Sequence, residues 1–270
     1  MPYKRLIFIL LYDSGKFVLS RNFRLQKVGD INWLIKNYNF QSISYSIDEL
    51  IVLDVTRGER NIEYFTETLK KVVEFVFVPV AAGGGVDSIE KAKKLLHSGA
   101  DKIVVNTTLY TDDLIIKELV KNFGSQCIVA SIDYRRKNNR YEVLINRGQR
   151  LIDMELKEAV KKVMELGIGE ILLNSIDRDG TGYGYDLESL KLLDFDIRIP
   201  LIVSGGAGKP EHFIEGLRIK TVDAVATANL LNFIGNGLPL ARREIIKSGI
   251  DLANWDENEF ERLKKLTMEV

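Results

Sequence analysis

Cysteine is almost absent from this 270-residue chain, and Cys127 stands alone. A single cysteine closes no intrachain disulfide, and a thiol in an apolar, strand-like run reads as inert packing rather than as a nucleophile. An excess of charge of either sign is missing too. Lys+Arg and Asp+Glu both number 38, so no net field favours nucleic acid or an anionic membrane. Nor does any apolar run approach the ~20 residues that a membrane-spanning helix needs. The run at 6–12 is too short for a secretory signal, and Asp13 ends it. Proline is scarce, at five, while 46% of residues are apolar, enough to bury one large core. These absences describe a soluble, cytoplasmic protein with no expected cofactor or metal and no nucleic-acid or membrane partner.

What is present is alternation. Apolar runs of strand length fall at 5–11, 49–54, 75–81, 102–106, 127–133, 170–175, 200–204 and 223–227. Amphipathic, helix-period segments lie between them at 31–38, 61–73, 88–97, 112–122, 154–166, 187–193, 210–217 and 241–247. Asp87 and Thr111 stand where N-caps of the third and fourth helices would be. Eight strand–helix units in one chain predict a single-domain α/β fold, a (β/α)8 barrel over residues 1–250. An open doubly wound sheet would carry a nucleotide fingerprint after its first strand, and LLYDSGK lacks that spacing. Residues 135–147 read as a charged hairpin after the fifth strand, and 251–270 as a C-terminal helix or tail on the barrel's outside.

The two halves resemble each other. AGGGVDSIEKA and GADKIVVNT, within 82–107, match SGGAGKPEHFIEG and TVDAVATAN, within 204–229. The same offset lays 127–134 over 5–12, so the barrel reads as a duplicated half-barrel. Each half places glycines after a strand and before a helix: Gly83, Gly84 and Gly85, then Gly205, Gly206 and Gly208. Glycine lets backbone N–H groups close on a phosphate. The strands that follow end in Asn106-Thr107 and Ala228-Asn229. Two cradles on opposite sides of one mouth predict an elongated ligand with a phosphate at each end.

The strand ends also carry acids. GEILLNSIDRDGT (169–181) runs from a buried strand into Asp177, Asp179 and a glycine-rich loop. Asp133 and Asp179 are the candidates for proton transfer, which needs groups on opposite sides of a substrate. Asp54 ends another strand and reads as an orienting group. The duplication sets Leu11 opposite Asp133, where an acid would be expected, and the Ser14-Gly15 turn carries Asp13 out of position. At the other end of the strands, Arg5, Glu49, Lys102 and Glu170 occupy matching starts of alternate strands. Buried charges persist when paired, so a ring of alternating sign is predicted on the barrel's floor.

These segments, with DELIVLDVT (48–56) and FGSQCIVASID (123–133), resemble over nearly the whole chain the HisF family, the cyclase subunit of imidazole glycerol phosphate synthase. The resemblance implies a barrel whose floor docks a HisH-like glutaminase and whose interior carries ammonia to the mouth. By the same resemblance, Arg5, Glu49, Lys102 and Glu170 match the ammonia gate and Asp101 the docking face. Gly85, Asn106, Thr107, Gly205 and Gly206 match binders of a phosphorylated small molecule, a set that the strand-end reading extends to Asn229. Asp133 matches one catalytic acid. The departures are Leu11 at the other acid, Leu19 at a lysine, Asn174 at a threonine and Arg147 at a small hydroxyl residue. That pattern is similar to HisF-like paralogs encoded with surface-polysaccharide genes, where the pair is thought to feed ammonia to a sugar amidotransferase. The alternatives are a working cyclase of histidine biosynthesis, in which Asp13 or Asp179 replaces the lost acid, and a non-catalytic docking module that senses a phosphorylated metabolite.

Overall fold

A computed structural model of the chain describes residues 3–38, 46–228 and 237–253. Eight parallel strands close a barrel: β1 (Arg5–Asp13), β4 (Glu49–Asp54), β5 (Val80–Gly83), β6 (Lys102–Val105), β7 (Ile128–Lys137), β10 (Glu170–Ser175), β11 (Leu201–Ser204) and β12 (Ala224–Thr227). The closure is made by β7 against β10, in register from Glu170 beside Val129 to Ser175 beside Tyr134. The expected barrel is therefore observed. It carries two outlying antiparallel additions: β2 (Lys16–Arg21) with β3 (Arg24–Gly29) after the first barrel strand, and β8 (Arg140–Ile145) with β9 (Arg150–Glu155) after the fifth.

Helices cover the outside: α1 (Ile31–Tyr38), α2 (Ile62–Val73), α3 (Ile89–His97), α4 (Thr108–Thr111), α5 (Asp113–Phe123), α6 (Leu156–Glu165), α7 (Leu187–Lys191), α8 (Pro210–Leu217) and α9 (Gly237–Lys247). Alternate strand residues divide between two cores because successive side chains face opposite sides of a sheet. Leu6, Phe8, Leu10 and Tyr12 of β1 pack outward under the helices, while Ile7 and Ile9 point into the bore. The bore is completed by Ile51, Ala81, Val104, Val129, Leu172, Ile202, Ala224 and Ala226.

Several expectations are corrected. The third strand starts at Val80 rather than 75, because Phe75 and Val76 donate backward to the Val72 and Val73 carbonyls in the turn that follows α2. The N-caps lie one residue later than expected. Ser88, not Asp87, accepts from the Lys91 N–H, and Asp112, not Thr111, accepts from the Leu114 and Ile115 N–H groups. Thr111 is still within α4, so its side chain cannot open the next helix. Cys127 sits half-buried in a short 3-10 turn before β7 rather than in a strand. The hairpin expected at 135–147 forms, with Asn138 and Asn139 both at positive φ in its two-residue turn, and β9 extends it. Its counterpart after β1 was not expected, although the duplication calls for one. The C-terminal element expected at 251–270 falls, beyond residue 253, outside the described residues.

The cap assignments separate two neighbouring threonine and aspartate positions. Asp112→Ala removes an acceptor for two first-turn N–H groups and is expected to cost about 1 kcal/mol. Thr111→Ala is expected to cost less than about half of that, read as the shift in a urea-unfolding midpoint.

Candidate active site

The inward-facing series on each strand runs from charge at the floor, through apolar residues, to polar groups at the mouth. On β6 and its extension it reads Lys102, Val104, Asn106; on β10 it reads Glu170, Leu172, Asn174; on β1 it reads Arg5, Ile7, Ile9, Leu11. At the floor the predicted ring is present. Arg5 Nη1 lies 2.8 Å from Glu49 Oε2, and Arg5 Nη2 bonds Glu170 Oε1. Lys102 Nζ lies 3.0 Å from Glu49 and 2.8 Å from Glu170. Both carboxylates are buried. Burial pushes Glu49 upward, and Lys102 acts against that. For Arg5 burial acts downward, but Glu170 and Glu49 outweigh it and the guanidinium is held above its ordinary value.

One detail of the ring differs from expectation. Its members come from β1, β4, β6 and β10, the first, second, fourth and sixth barrel strands, rather than from every second strand. Barrel shear sets Ile7, not Arg5, beside Glu49. The long Arg5 side chain spans that difference in level. Asp101 is exposed near the floor, and its Oδ2 accepts the Val80 N–H at 2.8 Å. The same clamp recurs at Asp48, on the Leu6 N–H, and at Asp223, on the Leu201 N–H. The Asp101 carboxylate therefore already has a partner within the chain.

At the mouth an open cleft of about 1090 Å³ is bordered by Leu11, Asp54, Gly84, Gly85, Asn106, Thr107, Asp133, Asn174 and Asp179. Asp133 lies at its base. Asn174 Nδ2 donates to Asp133 Oδ1 at 3.0 Å, and Asn106 Nδ2 donates to Oδ2 at 3.2 Å. These two amides fix the carboxyl plane. Burial raises the Asp133 pKa to about 7, with the nearby Asp179 charge adding to the shift and the two amides opposing it. A group with that value exchanges a proton readily near neutral pH. Burial also raises Asp179, which accepts from the Phe23 N–H at 3.0 Å and from the Ser20 hydroxyl. Both candidates for proton transfer thus line one cleft, and Asp179 is tied to the β2–β3 hairpin.

Leu11 borders this cleft and no carboxylate replaces it from β1. Asp13 continues the same strand face, but Ser14 and Gly15 turn the chain back at φ 49° and 84°. The Asp13 side chain accepts from the Ser14 hydroxyl at 2.8 Å and does not border the cleft. Asp54 behaves as an orienting group. It accepts the Thr56 N–H at 2.9 Å and lies 3.8 Å from Arg60 Nε.

The two expected phosphate cradles are unequal. Gly84, Gly85, Asn106 and Thr107 open on the cleft. Glycine is required at 84, where φ is 118° and an added Cβ would stand 2.3 Å from the Asp54 carbonyl oxygen. Gly205 and Gly206 do not border the cleft. The loop that follows β10 lies against them: the Gly184 N–H donates to Gly206 O at 2.8 Å, and a Cβ on Gly206 would meet Gly184 O at 2.1 Å. Around the second cradle only Ser204 and Ala228 border the cleft among the described residues, and Asn229 lies outside them. Symmetry of sequence does not carry over into symmetry of access.

The cleft also holds residues that reading the sequence missed. Ser20, Phe23 and Leu25 arrive on the unexpected β2–β3 hairpin, and Arg57 and Arg60 on the loop after β4. The duplication itself was the missed signal, since a hairpin after the fifth strand implies one after the first. Arg147 enters from the β8–β9 turn, where Asn146, Arg147 and Gly148 are all at positive φ. Among the described residues no group of three or more His, Cys, Asp or Glu side chains is placed to hold a metal ion. No described helix is long and apolar enough to cross a membrane.

Comparison with known proteins agrees with this geometry. The family of histidine biosynthesis proteins matches residues 11–235. A Parasynechococcus marenigrum protein named for subunit hisF2 of imidazole glycerol phosphate synthase is 43% identical over 256 residues, covering 94% of this chain and 95% of its own. The chain belongs to the HisF family. HisF subunits of the same synthase from Chlorobium chlorochromatii and Pyrobaculum aerophilum are 36% and 38% identical, over 92% and 88% of this chain and 97% and 93% of their own. The HisF-type barrel is thus matched along almost its whole length.

Two measurements probe the site. The folded state holds a proton on Asp133 up to about pH 7, whereas the unfolded chain releases it near pH 4. Ionising Asp133 therefore removes stability as pH rises through that window. Asp133→Asn is expected to flatten the pH dependence of unfolding between pH 4 and 8 by roughly 2–4 kcal/mol. Lys102→Met leaves two buried carboxylates with Arg5 alone and is expected to cost about 3–5 kcal/mol, read from urea unfolding at pH 7.

Proposed function

We propose that this HisF-family barrel is the synthase subunit of a glutamine amidotransferase pair, receiving ammonia at the charged floor and delivering it to the mouth. The bore supports this reading. Between the ring and the cleft its lining is apolar and includes the small residues Ala81, Ala224 and Ala226. Neutral ammonia crosses such a lining at little cost, whereas ammonium or a hydrated ion would lose its solvation. The source is a HisH-like glutaminase docked around the ring, the arrangement that the family resemblance implies. Transfer requires the ring to part. Lys102, a flexible chain bearing one point charge, is the member suited to move, whereas Arg5 grips Glu49 and Glu170 with separate nitrogens.

The single observation that carries this reading of the mouth is Leu11. Leucine neither takes nor gives a proton, so cyclisation retains Asp133 on one side and nothing on β1. The loss of one general acid–base group removes on the order of 10²–10⁴ in rate. By its resemblance to HisF-like paralogs encoded with surface-polysaccharide genes, we read its role as supplying ammonia for amidination of a sugar by a separate enzyme. The cleft keeps one phosphate cradle to hold a phosphorylated ligand.

A second reading is a working cyclase of imidazole glycerol phosphate synthase. It is favoured by Asp179, which lines the same cleft and acts electrostatically on Asp133. Cyclase turnover with exogenous ammonia separates the two without any partner. The first reading expects turnover at or near background, and recovery of about 10²-fold or more in Leu11→Asp. Brisk turnover by the unaltered chain, lost in Asp179→Asn, would establish the second.

A further inference from the structure

Three arginines gather at the cradle end of the cleft, and the proposed phosphate site uses none of them. Arg60 lies over Gly85, whose added Cβ would stand 2.9 Å from Arg60 Nη1. Arg147 donates to the Thr56 carbonyl and, at 3.0 Å, to Asn146 Oδ1. The neighbouring Asn146 N–H donates to Thr107 Oγ1 at 3.1 Å, which pins that turn to the cradle. Arg57 reaches the Phe23 carbonyl. The only carboxylate in ion-pair reach of the three is Asp54, at 3.8 Å from Arg60, among the described residues.

The group is unfinished in two ways. Arg147 Nε is a buried donor with no hydrogen-bond partner among the described residues, and Arg60 Nε, also without one, faces only Asp54 Oδ2 at 3.8 Å; buried donors are seldom left unmet. Arg60 is also pushed below its ordinary pKa, first by burial and further by Arg147. Two guanidinium groups held together in this way call for an anion between them. A phosphoryl group seated in the cradle has its oxygens engaged by the glycine backbone, Asn106 and Thr107, and leaves Arg60 and Arg147 as donors for a further anion. A second phosphate linked to the first supplies those acceptors.

We infer that Arg57, Arg60 and Arg147 form a clamp for a second anionic group adjoining the first, so that the ligand enters this end of the cleft as a diphosphate. The inference rests on the cleft being a phosphate site. The backbone cradle with Asn106 and Thr107 takes one phosphate, and Arg60 and Arg147 take the other. On binding, Arg57 and Arg147 exchange the Phe23 and Thr56 carbonyl oxygens for phosphate oxygens. Phe23 belongs to the hairpin that also holds Asp179, so occupancy of the clamp is felt at a candidate acid.

Calorimetric titration of the full chain with inorganic pyrophosphate and with orthophosphate, at fixed ionic strength and without divalent metal, tests the clamp. The expected result is pyrophosphate binding at least about tenfold tighter than orthophosphate. Arg147→Gln and Arg60→Gln, each checked for an unchanged fold by circular dichroism, should each lower pyrophosphate affinity about tenfold and orthophosphate affinity less than about threefold. Equal affinity for the two anions overturns the clamp while leaving the phosphate cleft intact. Preference for pyrophosphate that survives both substitutions also overturns it. Binding of neither anion removes the clamp and the phosphate site together. Ammonia delivery is read separately, by transfer of labelled amide nitrogen from glutamine.

Discussion

Two buried glutamates at the floor of the barrel can exist there only because Arg5 and Lys102 each bridge both of them. That constraint fixes which face of four strands looks inward. Once Arg5 points to the axis, Ile7, Ile9 and Leu11 must follow it, and Leu6, Phe8, Leu10 and Tyr12 must pack under the helices. The same holds for Glu49 on β4, Lys102 on β6 and Glu170 on β10. A slip of one residue in any of these strands would bury a lone charge among the helices, at a cost of several kcal/mol. The ring therefore acts as a register lock as well as a floor.

The period of two that begins at the ring ends at the mouth, where it presents Asn106, Asp133 and Asn174 side by side. Their hydrogen bonds hold the Asp133 carboxyl between two amides; burial there raises its pKa toward neutrality against the opposing effect of those two donors. On the first strand the same alternation presents Leu11. The barrel strands thus present an acid from β7 and a hydrocarbon side chain from β1 to the same cleft. Asp179 stands apart from this alternation because a loop and a hairpin, rather than a barrel strand, position it.

Duplication explains the frame and its limits. Each half contributes a strand continued by antiparallel strands and a glycine turn after its third strand. The copies then diverge at their loops. In the second half the loop after β10 folds down on Gly206 and takes its carbonyl, whereas in the first half the loop after β4 brings arginines to the edge of an open cradle. Loops carry such differences cheaply because few buried contacts depend on them. The outcome is a pseudo-symmetric barrel with one accessible glycine turn, edged by arginines.

Alternation of apolar runs with amphipathic segments was enough to reveal the barrel, its strand starts at Glu49, Lys102 and Glu170, and the charges that meet on its floor. Those features follow from local periodicity and from the rule that buried charges pair, both of which act on residues close in sequence or equivalent by repeat. The cap positions at Ser88 and Asp112 were missed by one residue, because either of two adjacent polar side chains satisfies a cap until backbone geometry chooses. The β2–β3 hairpin was legible in the duplication and was missed, whereas the covering of Gly205 and Gly206 and the meeting of Arg57, Arg60 and Arg147 were beyond the sequence's reach. Each depends on where a loop lands after the barrel closes, a matter of contacts between residues tens of positions apart. The linear chain by itself determined the barrel and its charged floor; only the closed tertiary structure decided which end of the cleft is open and charged, because loop docking is set by shape and by the pairing of distant groups.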